Sequence, residues 1–79
     1  MSRYRRLIPI YESARIEAGT LARFLDGLSW KDIYRLDPTI AKGWWRGAIM
    51  NAEADGHLVW LGGHWYLTDA GRLLVREVA

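Results

Sequence analysis

His57 and His64 stand seven residues apart, with Asp55 and Asp69 just outside them. Imidazoles and carboxylates are groups that hold zinc or pass protons, provided that they converge on one point. The strand pairing worked out below does not set the two histidines opposite each other, so no metal site is expected. No serine or threonine has a histidine–acid pair placed to activate it, and no glycine-rich phosphate cradle opens a helix. The sequence has no cysteine, which removes thiolate chemistry and disulfides together. No catalytic residue, metal or cofactor is expected, and the chain does not read as an enzyme.

The remaining chemistry is contact with phosphate. Arg3, Arg5 and Arg6 crowd the start of the chain, and Lys31, Lys42 and Arg46 follow in its middle. Ammonium and guanidinium groups bind phosphate oxygens through charge-assisted hydrogen bonds. The formal net charge is +2, yet residues 7–79 hold eight Lys and Arg against nine Asp and Glu. A near-neutral body thus carries a short basic arm, residues 1–6. Such an arm is either a solvated tail or a clamp on a polyanion.

Apolar spacing and capping residues indicate the elements that must position these groups. At 79 residues the chain reads as one domain, 1–79, and its small core must lean on large side chains, among them five Trp and four Tyr. No apolar run approaches the roughly 18 residues of a membrane span, and no signal-peptide pattern opens the chain. A cytoplasmic location without membrane contact is the expectation. Ile10, Ala14, Ala18, Leu21, Leu25 and Leu28 recur at three- and four-residue spacing, which predicts a first helix over 11–26 that stops at Gly27. Ser29, with Asp32 three residues on, approximates a capping box for a short second helix that turns Ile33 and Leu36 inward. Asp37-Pro38 then reads as the N-cap and first position of a long third helix, ending near Asp55 with Gly56 as its C-terminal glycine. The core face of that helix is Ala41, Trp45, Ala48, Ile49 and Ala52.

The stretch GHLVWLGGHWYLTDAG, residues 56–71, follows. Two strands, 58–61 and 64–67, flank Gly62-Gly63, a two-residue loop of the kind that needs positive φ. The loop length fixes the register: Leu61 faces His64, and Trp60 faces Trp65 in a close, non-hydrogen-bonded pair. Alternation sends Leu58, Trp60, Trp65 and Leu67 to the core, with both tryptophans mostly buried. Val59, Leu61, His64 and Tyr66 face outward. Thr68 caps a last helix, whose Leu73 and Leu74 return to the core.

This order of elements resembles the winged helix-turn-helix family of bacterial and phage-type transcriptional regulators. The residues that carry the likeness are LSWKDIYRLDPTIAKGWWRGAIMNAEADGHLV, followed by WLGGHWYLTDAGRLL. It spans about residues 15–75, and YLTDAGRLL after the glycine tip is its most specific part. The resemblance implies an α+β, mainly α fold: three helices, a two-stranded hairpin wing and a C-terminal helix. It also implies double-stranded DNA as partner, the third helix in the major groove, the wing on the backbone or minor groove, and a homodimer. Carried onto this chain, the contact residues are Arg3, Arg5, Arg6, Lys31, Thr39, Lys42 and Arg46, with His64 on the wing.

Two features depart from that pattern. The wing has neither Arg nor Lys, and the outward stripe of the third helix is Gly43, Gly47, Met50 and Ala54, which offers base edges almost no hydrogen bonds. Two glycines inside a helix cost about 1 kcal/mol each against alanine, which some close approach of another backbone could offset. An alternative reading is therefore a protein-binding module on the same scaffold, a phage-type adaptor or inhibitor. Its interface would be Gly43, Gly47 and Met50 with Leu61 and Tyr66 of the wing. On that reading, bulk at Gly47 blocks the partner and leaves the monomer folded.

Overall fold

The computed structural model describes residues 11–78. Helix α1 (Ala18–Leu21) tightens into a 3-10 turn over Ala22–Phe24 and is followed by α2 (Trp30–Leu36) and α3 (Lys42–Ala54). Strands β1 (Leu58–Leu61) and β2 (His64–Leu67) form the hairpin, and α4 (Asp69–Val78) closes the order. The fold is α+β and mainly helical. Leu21, Phe24, Ile33, Trp45, Ile49, Leu58, Trp65 and Leu67 meet in one core.

Where a signal is local, the fold follows it. The Ser29 hydroxyl accepts the Asp32 N–H at 3.2 Å, and the Asp32 carboxylate accepts the Ser29 N–H at 3.0 Å, a reciprocal capping box. Helix α3 ends as its glycine dictates. The His57 N–H reaches the Ala52 carbonyl at 2.9 Å and the Gly56 N–H reaches Glu53 at 3.0 Å, with Gly56 at φ 82°. The hairpin has the expected register, Leu61 opposite His64 and Trp60 opposite Trp65, around Gly62 and Gly63 at φ 55° and 90°. Leu28 adds one residue of a third strand. It exchanges two backbone hydrogen bonds with Trp65, at 3.0 and 2.8 Å.

Thr68 accepts the Gly71 N–H at 3.0 Å and donates its own hydroxyl proton to the Gly56 carbonyl. One side chain thus caps α4 and ties it to the end of α3. Gly71 is buried there because α4 runs against the hairpin root: a Cβ at this position would overlap the His57 carbonyl oxygen.

Long-range contacts overturn several sequence expectations. Residues 14–17 are not helical, and α1 starts only at Ala18. The buried Asn51 side chain donates to the carbonyls of Tyr11, Glu12 and Ala14 at 3.2, 3.1 and 2.9 Å, taking acceptors that a first helical turn would have used. The 3-10 turn then advances three residues per turn, so Phe24 follows Leu21 into the core and Leu25 is left exposed. Asp37 does not cap α3. Its carboxylate accepts the Thr39 N–H and hydroxyl at 3.0 and 2.6 Å, closing a turn of its own, and the helix begins after Ala41, which is exposed. Trp65 is buried, but Trp60 is 43% exposed, so only one of the pair roofs the core. Leu73 points to solvent, while Leu74 and Val75 pack on the core.

Candidate nucleic-acid interface

On α2, Trp30 and Tyr34 lie one turn apart and stack, centroids 5.8 Å apart at 26°. Two cations from α3 converge on Tyr34. The Lys42 ammonium sits 5.2 Å from the ring centroid, and the Arg46 guanidinium donates to the phenol oxygen at 3.4 Å. Lys31 and Arg35, also one turn apart and exposed, form the next row around α2. The aromatic stripe therefore has cations on both sides. In the other direction Trp30 meets Trp65 edge-on at 5.8 Å, and Trp65 meets Trp60 at 5.3 Å. The rings lead without interruption from the cations to the hairpin.

Charge is distributed unevenly over the fold. Residues 29–50 carry four basic side chains, Lys31, Arg35, Lys42 and Arg46, against two acidic ones, Asp32 and Asp37. Residues 11–28 and 51–78 together carry four basic against seven acidic. Both acids of the basic stretch are occupied by their own backbone. The Ser29 backbone N–H, then its side chain, holds Asp32 below the usual carboxylate range, with the Arg35 guanidinium adding to the effect. The Thr39 hydroxyl and backbone N–H do the same for Asp37. None of the four cations is in an ion pair among the described residues; the pair that forms there, Arg15 with Asp55 at 3.6 Å, joins the N-terminal segment to the end of α3. The first turn of α3 has no side-chain cap, which leaves N–H groups beside Lys42 to face an anion.

The expected contact residues fall in different places. Arg3, Arg5 and Arg6 lie outside the described residues. Lys42 and Arg46 come together at Tyr34, Lys31 joins them from α2, and Thr39 is exposed in the turn before α3. His64, half-buried, stands on β2 of the hairpin beside Tyr66, ring centroids 6.3 Å apart. Sequence reading missed Arg35, Tyr34 and Trp30. Their four-residue spacing to Lys31 and to each other was the available signal.

The outward glycine stripe is not an open surface. A Cβ on Gly47 would lie 2.6 Å from Tyr11 Cβ, and one on Gly43 would lie 3.0 Å from the edge of the same ring. Met50 is buried too, at 6% exposure. The close approach inferred from the glycines exists, but it is made by the chain's own N-terminal segment. Of the hairpin residues assigned to the same interface, Leu61 is exposed and Tyr66 is not free: its ring covers Gly27, which sits at φ 89°.

Among the described residues, no three His, Cys, Asp or Glu side chains gather as a metal site requires. None of their helices is long and apolar enough to cross a membrane. No protein-family model, curated protein or solved structure matches the chain.

Proposed function

We propose that the chain is a winged-helix DNA-binding domain and a transcriptional regulator, docking on duplex DNA through the cationic edge of α2 and α3. The observation that carries this reading is the concentration in residues 29–50 of cations with no ion pair among the described residues, organised around Tyr34, on a body otherwise rich in acid. The order of two short helices, a long glycine-ended helix, a glycine-tipped hairpin and a Thr-capped helix supports it. Phosphate contacts by Lys31, Arg35, Lys42 and Arg46, with the open N-terminus of α3, supply the affinity. With Tyr11 on its outer stripe, α3 has little left with which to read bases, so sequence preference is weak. A homodimer would double the phosphate contacts. The alternative protein-binding surface loses Gly43, Gly47 and Met50 to the chain's own packing.

The test is a titration of fluorescent duplex at several salt concentrations. Replacing Lys42 and Arg46 together by Ala should lower the slope of log affinity against log salt by about 1.8, at about 0.9 per phosphate contact. A slope equal to that of the wild type removes these two side chains from the interface.

A further inference from the structure

The outward stripe of α3 has no hydrogen-bonding side chain of its own at Gly43 or Gly47, but Tyr11 lies along it. The Tyr11 Cβ rests on Gly47 and the ring runs back along the helix. A Cβ on Gly43 would lie 3.0 Å from Tyr11 Cε2 and 3.6 Å from the phenol oxygen. The hydroxyl is thus carried from Gly47 to the first turn of α3, at Gly43. Gly43 follows Lys42 and stands three residues before Arg46, so the phenol neighbours both cations on the helix surface. Tyr11 is only half-buried, and its ring fills the stripe without being hidden beneath it.

The same segment limits how much of α3 an outside ligand can touch. The backbone of residues 11–14 lies over Gly47 and Asn51, where the Asn51 amide serves the carbonyls of Tyr11, Glu12 and Ala14. A major groove about 12 Å wide takes a helix about 10–12 Å across, not a helix with a second stretch of backbone on top. That leaves the first turn of α3. Gly43 has no side chain there, and the Tyr11 hydroxyl stands in for one.

Resting on the DNA reading above, we propose that Tyr11 is the base-reading residue of this domain, a side chain lent to α3 by the N-terminal segment and seated by two glycines. The neighbouring cations hold phosphates, contacts that position the duplex but carry no sequence information. A phenol both donates and accepts hydrogen bonds, so it can meet a base edge where glycine offers nothing. One hydroxyl reads one base pair or two adjacent ones, in keeping with a weak sequence preference. The glycines follow from the same arrangement: a side chain at 47 would displace Tyr11, and one at 43 would crowd its ring.

The experiment is selection from a duplex pool with randomised central bases, using wild-type protein and Tyr11→Phe. Salt titrations of the selected duplex and thermal melts of both proteins accompany it. Phenylalanine keeps the Cβ, the ring and the carbonyls that Asn51 holds, and removes only the hydroxyl. The proposal expects the wild type to enrich one base pair or two adjacent ones. Tyr11→Phe should lose that enrichment and bind the selected duplex roughly 3- to 10-fold more weakly, with salt slope and melting temperature unchanged. Binding without any enrichment, or the same enrichment in Tyr11→Phe, overturns the assignment and leaves the DNA reading standing. A lower melting temperature in Tyr11→Phe would make the hydroxyl a fastening of the N-terminal segment and also overturn it. No duplex binding by the wild type overturns both.

Discussion

Tyr11 lies against Gly47 so closely that a methyl group on the glycine would sit 2.6 Å from the tyrosine Cβ. The obstacle is the root of the Tyr11 side chain, with its carbonyl oxygen next at 3.4 Å, so no rotation of the ring relieves it. Gly47→Leu should therefore lift the segment 11–14 from α3, whereas the sequence led to the expectation that bulk there blocks only an outside partner and leaves the monomer folded. The gain in helix propensity, about 0.8 kcal/mol, does not offset that overpacking. Hydrogen exchange is the check. Backbone amides around Ala14 should lose protection in the variant, and unchanged protection there would mean that the segment does not rest on the glycine.

Asn51 holds the same segment one turn further along the same face of the helix. Its amide is 1% exposed and serves three carbonyls. Asn51→Leu leaves those acceptors short of donors in a buried site and should cost about 2–3 kcal/mol by denaturant unfolding. Asn51→Asp should cost more, since an ionised carboxylate only accepts and would face three carbonyl oxygens.

Gly71→Ala should destabilise by about 2–3 kcal/mol even though alanine is the better helix former. The contact is backbone against side chain, the His57 carbonyl, and neither α4 nor the hairpin root can yield without breaking the Thr68 cap. A thermal melt equal to or above that of the wild type would show that α4 packs more loosely than described.

The two hairpin tryptophans should separate in unfolding experiments. Trp65→Ala opens a cavity in the core and should cost about 3–5 kcal/mol. Trp60, with 43% of its surface in solvent, should cost about half as much. Equal costs would mean that both rings roof the core.

Stability should also fall in acid through Asp32. Its carboxyl is held below the ordinary value of 3.8, first by the Ser29 N–H and then by the Ser29 side chain. An acid with a lowered folded pKa stabilises above its unfolded pKa and loses that contribution as the pH falls through the folded one. The contribution is thus complete above about pH 5, declines as the pH falls past 3.8 and is gone only below the still lower pKa of the folded state. Asp32→Asn should flatten the stability profile in that window and leave its shape near neutral pH unchanged.

These particulars show which parts of the fold were legible in the sequence. The hairpin register, the Ser29–Asp32 box and the Gly56 terminus were readable because each depends on residues a few positions apart. The glycine stripe disclosed that a backbone comes close to α3, but not that the visitor is Tyr11, because that contact spans 36 residues of chain. Asp37 had two local options, capping a helix or closing its own turn with Thr39, and apolar spacing does not choose between them. The cationic site was half legible. Lys31, Lys42 and Arg46 stood out as charges, whereas the Tyr34 ring that gathers two of them emerges only when α2 and α3 pack.

The central claim is that duplex DNA docks on the α2–α3 edge, and charge reversal on that edge and away from it tests it most directly. Arg46→Glu is compared with Arg76→Glu, on exposed α4, in duplex titrations across a series of salt concentrations. The account predicts salt-dependent binding by the wild type, near-complete loss with Arg46→Glu and a small change with Arg76→Glu. Equal losses from the two reversals, or no salt-dependent duplex binding by the wild type, would contradict it.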